Sequence, residues 1–102
     1  MNYSIVLTRD ADADIGSAFA WYEPIDPNLA VRFVSEGRTT LDRIAQFPFR
    51  FPRINDTVRA ALLNRFPYTL YYSVEYDEVF VIALLHQRRS DDIWRQRSHH
   101  RS

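Results

Sequence analysis

The stretch YTLYYSVEYDEVFVIALLH, residues 68–86, decides the fold. Aromatic and β-branched residues dominate up to Tyr76, Asp77-Glu78 supply a tight turn, and the chain returns as VFVIALL over residues 79–85. Two such runs joined so closely pair as antiparallel strands. The returning arm is apolar on both of its alternating faces, so it reads as a central strand covered from both sides. Upstream, Val58, Ala60 and Leu62 alternate with Arg59, Ala61 and Leu63, which adds another strand, and Pro67 separates it from the hairpin. The segment FPFRFPRIND, residues 47–56, is a loop whose three Phe are expected to cover the edge of the core.

The cover for the sheet comes from further upstream. Tyr3 to Leu7 is a short first strand, and Thr8 or Asp10 caps the helix that follows. Asp10, Asp12 and Asp14 favour the positive end of its dipole, while Ala11, Ile15, Ala18, Phe19 and Tyr22 share one face. Pro24 ends that helix, and Asp26-Pro27 is a cap and first position for a second one, which runs at steps of three and four to Gln46. Gly37 in mid-helix costs about 1 kcal/mol and is expected to mark a close approach of a neighbouring element. After His86, Ser90 is a candidate cap for a short helix from Asp91 to Arg97. The expected architecture is an α+β domain: an N-terminal strand, a two-helix hairpin on a mainly antiparallel sheet with three further consecutive strands, and a short C-terminal helix. Residues 1–97 form a single domain, with 98–102 as a frayed tail.

Composition narrows the chemistry. The chain has 102 residues, and most of its seven Phe, six Tyr and two Trp are expected to be buried in so small a domain. No Cys is present, which removes disulfides, thiolate nucleophiles and Cys-type metal sites and fits a reducing cytoplasm. Two glycines, Gly16 and Gly37, cannot form a phosphate-cradling loop. All 13 basic residues are Arg, so no desolvated Lys can serve as a base or Schiff-base amine. The longest apolar run, Val79 to Leu85, falls far short of the about 20 residues of a membrane helix, and the N-terminus lacks the pattern of an export leader. Alternate Asp residues on a helix do not face one another, which argues against a metal site at Asp10, Asp12 and Asp14.

The net charge of +0 hides segregation: residues 1–36 carry −4, 37–65 carry +4, 66–78 carry −3 and 79–102 carry +3. The two basic blocks either fold together into an anion-facing surface or remain scattered, solvated Arg.

The runs RFPYTLYYSV (65–74), DEVFVIALLHQRRSD (77–91) and WRQR (94–97), with a weaker opening match in ADADI (11–15) and Tyr22, resemble the RelE/ParE toxin superfamily of type II toxin–antitoxin systems. The resemblance spans nearly the whole chain and implies the fold already derived. It also implies one of two activities and no cofactor. RelE-like members cut messenger RNA in the ribosomal A site with basic residues on the sheet and near the C-terminus; ParE-like members poison DNA gyrase. Here the Lys-rich second strand of RelE-like enzymes is missing, Thr69 stands where they place an Arg, and Ile93 and Trp94 lie where their C-terminal Tyr would be. Losing one such charge-assisted donor costs about 3 kcal/mol of transition-state stabilisation.

The resemblance therefore favours the ParE-like activity, with Arg88, Arg89, Trp94, Arg95 and Arg97 as the partner-binding surface for gyrase. A co-encoded antitoxin is the other implied partner, covering apolar surface left by the helix pair or adding a strand at a sheet edge; no membrane is involved. For Trp94 a core anchor and an exposed interface residue are both open. The alternative is an endoribonuclease acting on ribosome-bound messenger RNA through Arg59, Arg65, His86 and Arg88, in which the His86 imidazole would act as acid or base. Against that, His86 can simply be a strand-end residue bonded to backbone or to Asp91, and His99 and His100 simply a tail. Arg88 and Arg89 can pair with Asp91 or Asp92 or face a partner. A third reading is a family member that acts only as an interaction partner or co-repressor with its antitoxin.

Overall fold

A computed structural model describes residues 2–89 and 91–98 of the chain. Strand β1 (Ser4–Leu7) leads into helices α1 (Arg9–Tyr22) and α2 (Pro27–Gln46), followed by β2 (Arg59–Leu62), β3 (Tyr68–Glu75) and β4 (Glu78–His86). A 3-10 turn at Gln87–Arg89 then leads into α3 (Asp91–Ser98). The sheet order is β1-β4-β3-β2, with β1 parallel to β4 and the other pairs antiparallel. The strand expected at Tyr3 begins one residue later, and the helix expected to end at Arg97 ends at Ser98.

Local chemistry fixes both helix starts. The Thr8 hydroxyl accepts from the Ala11 N–H at 3.2 Å and donates to the Val81 carbonyl at 2.9 Å, so one side chain caps α1 and ties it to the central strand. Asp26 caps α2 by accepting from the Asn28 N–H at 3.0 Å, with Pro27 in the first position. The two helices lie on one face of the sheet, where Phe33, Ile44, Leu70, Tyr72 and Val81 are buried together. On the opposite face α3 lays Trp94 flat on Tyr71, with centroids 5.9 Å apart, over Val58, Ile82, Ala83 and Leu85. This double cover is what the unbroken apolar run of β4 requires.

The pairing of β3 with β4 carries one irregularity. Tyr72 faces Val81 and Tyr71 faces Ala83, so Ile82 is an extra residue, and both Ile82 and Ala83 pack beneath α3. The bulge widens the apolar footing for the last helix.

Some expectations fail on the structure. A Cβ at Gly37 would meet no atom within 4 Å: Gly37 lines an open apolar cleft between α1 and α2 instead of a close contact. Of the loop aromatics only Phe51 joins the core; Phe47 and Phe49 stay exposed beneath the guanidinium groups of Arg50 and Arg59. Trp21, in the last turn of α1, and Tyr76, in the β3–β4 turn, are also exposed. The proposed Ser90 cap, the Arg89 and Asp91 side chains, and His99 and His100 with the rest of the expected tail lie outside the described residues.

Candidate functional site

Strand β1 stops at Leu7, opposite Val81, and β4 runs on to His86. Side chains take over the exposed edge. The Asp14 carboxylate on α1 accepts from the Leu84 N–H at 3.0 Å, and Arg97 on α3 donates to the Ile82 carbonyl at 3.2 Å. Arg97 and Asp14 close the arrangement with a forked contact, Nη1 at 2.5 Å and Nη2 at 3.3 Å from the two carboxylate oxygens. Asp10, one helical turn before Asp14, lies 3.7 Å from Arg97 Nε. Two of the three alternating Asp thus serve one Arg, and the latch joins the first helix to the last across the end of the sheet.

The C-terminal set expected to meet a partner divides accordingly. Trp94 is only 5% exposed and is a core anchor, because Tyr71 offers a flat ring at the site where the helix lands. Arg97 is spent on Asp14 and the sheet edge. Arg95 is exposed, its guanidinium 5.3 Å from the Trp94 ring, and Arg88 is exposed beside His86. The outward cationic surface among the described residues of this segment is therefore Arg88 and Arg95.

The ribonuclease candidates are brought together only in part: His86 and Arg88 adjoin, the Gln87 N–H between them donates to the Pro67 carbonyl of the β2–β3 turn that carries Arg65, and Arg59 stands apart. Arg59 donates to the Phe49 and Phe51 carbonyls at 3.1 and 2.6 Å and fastens the loop over the sheet edge. The same loop is tied by Tyr72, whose hydroxyl donates to the Pro48 carbonyl at 2.5 Å; burial pushes the Tyr72 phenol up to about 12, against a smaller downward pull from Arg59. His86 stands at the other end of β3: Arg59 is paired with Tyr72 and His86 with Tyr68, four positions apart, or about 13 Å along a strand. The imidazole packs edge-on against Tyr68 at 5.3 Å, and its Nδ1 accepts from the Arg88 N–H at 3.2 Å, the bonding of a strand-end residue to backbone. It borders a cleft of about 470 Å³ that also holds Ser17, Trp21 and the Asp14–Arg97 pair, whereas Arg59 borders a different cavity. Arg65 is exposed in the β2–β3 turn with φ 68°, a conformation that non-glycine residues seldom adopt. No cavity described here holds more than one of the four.

Sequence reading missed Asp14 as the partner of Arg97, a contact across 83 positions; its signal was the repeat of Asp10 one turn earlier on the same helix face. It also missed the cavity at the edge of β3, where Ser73 is a small polar residue inside an apolar alternation.

The family model described as "ParE toxin of type II toxin-antitoxin system, parDE" matches residues 5–91, from β1 to the first residue of α3. A solved structure titled "Chromosomal ParDE TA system from P. aeruginosa" contains a chain of the same fold. It is 22% identical, aligns over 82% of this chain and 95% of that one, and has a TM-score of 0.73. No curated protein matches significantly by sequence. With the helix hairpin, the four-stranded sheet and the family model in agreement over most of its length, the chain belongs to the ParE family of toxins of type II toxin–antitoxin systems.

Proposed function

We propose that this toxin stops growth by binding and poisoning DNA gyrase, without a catalytic residue of its own, and that a co-encoded antitoxin neutralises it. The observation that carries this reading is the engagement of Arg59: bonded to the Phe49 and Phe51 carbonyls about 13 Å along β3 from His86, it leaves the His86–Arg88 end without a second-strand cation to stabilise a scissile phosphate. Family membership supports the toxin role. Arg88 and Arg95 supply the kind of exposed cationic residue that dominates protein interfaces. The cleft that contains Gly37 and the exposed Val31 and Trp21 of the helix hairpin are consistent with an antitoxin segment that lies over α1 and α2.

The test is a supercoiling assay with purified gyrase and a molar excess of antitoxin-free toxin. Loss of negative supercoiling, reversed by the antitoxin, is the expected result. Normal supercoiling together with cleavage of messenger RNA on paused ribosomes would overturn the reading.

A further inference from the structure

Strand β2 begins at Arg59, opposite Tyr72, while β3 continues to Glu75. The bare edge so created is walled by the loop 47–58 and encloses a cavity of about 390 Å³. Within it Ser73 is 7% exposed, and its hydroxyl has no hydrogen-bond partner among the described residues. A buried hydroxyl left without a partner is costly unless something supplies one. Arg53, Arg59, Asp56, Glu75 and Phe49, the last 58% exposed, line the same cavity.

We propose that this cavity receives one unpaired base of a nucleic-acid strand. The lining selects that chemistry step by step. Phe49 offers an aromatic face, and its partner Arg59 has a planar guanidinium 5.2 Å from the ring, a platform on which a base of any sequence stacks. The Asp56 carboxylate can accept from a ring N–H or exocyclic amino group, while the Ser73 hydroxyl can donate to a ring nitrogen or carbonyl, so an uncharged heterocycle finds partners of both kinds. Arg53, exposed on the rim, is placed for the adjoining phosphate, in the chain segment 37–65 with its charge of +4. A base in a duplex already uses those edges and cannot enter.

The site lies at the opposite end of β3 from His86 and does not rest on the gyrase reading. Its test is fluorescence anisotropy of labelled single-stranded oligonucleotides of mixed sequence, one of DNA and one of RNA, with the matching duplex as a third probe, against the purified full-length chain. Single strands are expected to bind and duplex to bind at least tenfold more weakly. Phe49→Ala should weaken strand binding about tenfold. Arg53→Ala should weaken it and flatten its salt dependence, and Arg32→Ala, an equal loss of charge on exposed α2, should leave it unchanged. Equal binding of DNA and RNA supports the proposal with the base as the shared ligand; a preference for either strand supports it and names the source. Absence of strand binding, duplex bound as tightly as strand, or an unchanged Phe49→Ala variant overturns it. The supercoiling assay runs on separate material, so either proposal can fail alone.

Discussion

The two faces of the sheet are closed in opposite ways. One lies under α1 and α2, 14 and 20 residues long, which bury Phe33, Ile44 and Ala30 against it. The other is closed by α3, eight residues held by Trp94 and Ile93 and by the contacts of Arg97 with Asp14, Asp10 and the Ile82 carbonyl. An isolated helix of eight residues is unstable in water, so α3 exists only through those attachments. The contrast teaches that the thickly covered face carries the stability of the fold, while the thinly covered one can present Arg88, Arg95 and the β3-edge cavity without weakening it.

The sharpest way to break that contrast is to empty both faces in turn. Phe33→Ala should cost about 4 kcal/mol, a large share of the about 5–15 kcal/mol that holds a domain of this kind, and global unfolding in urea would register it. Trp94→Ala should cost about 3 kcal/mol, yet hydrogen exchange should rise in α3 while α1 and α2 keep their protection. Equal loss of protection on both sides would erase the distinction. Asp14→Ala removes the forked contact of Arg97 and leaves the Leu84 N–H without its acceptor, and should cost about 2 kcal/mol, again read most strongly in α3.

Tyr72 sharpens the comparison from the thick side. Its phenol is raised to about 12 in the fold against 10.0, so the neutral form is the one the fold prefers. Its contribution is full below pH 10 and is lost as pH climbs through the folded value near 12, because the unfolded chain then releases its proton first. Tyr72→Phe should lower neutral-pH stability by about 1 kcal/mol and flatten the alkaline limb of the denaturation profile. The smallest effect on stability, within about 0.5 kcal/mol, is expected for Arg95→Ala on the thin side, where the supercoiling assay should instead show about a tenfold loss of potency.

Much of the thick side was legible because its signals are local. Thr8, Asp26 and Pro27 mark helix starts within a few residues of the bonds they make, and the run VFVIALL demands cover whatever the neighbours are. The choice between core anchor and surface contact for Trp94 was not local: it depends on Tyr71 and on an extra residue at Ile82 that brings two side chains under one helix. The Asp14–Arg97 contact joins residues that no short window contains. The same holds for the β3-edge cavity, which exists only because two paired strands differ in length by four residues. Gly37 misled because glycine in a helix has two uses, close packing and an open groove, and the sequence is the same for both.

The parallel pairing of β1 with β4 sets a schedule for synthesis. Ser4 lies beside Glu78 and Thr8 bonds Val81, so the first strand has no partner until the last strand has been made. At a translation rate of about 5–20 residues per second, the N-terminal strand waits about 4–15 s for its place in the sheet. During that interval the α1–α2 hairpin has no complete β-layer to cover, and its apolar stripe faces solvent. The sheet is thus closed by joining the first strand made to the last, and a chain truncated before Glu78 cannot close it.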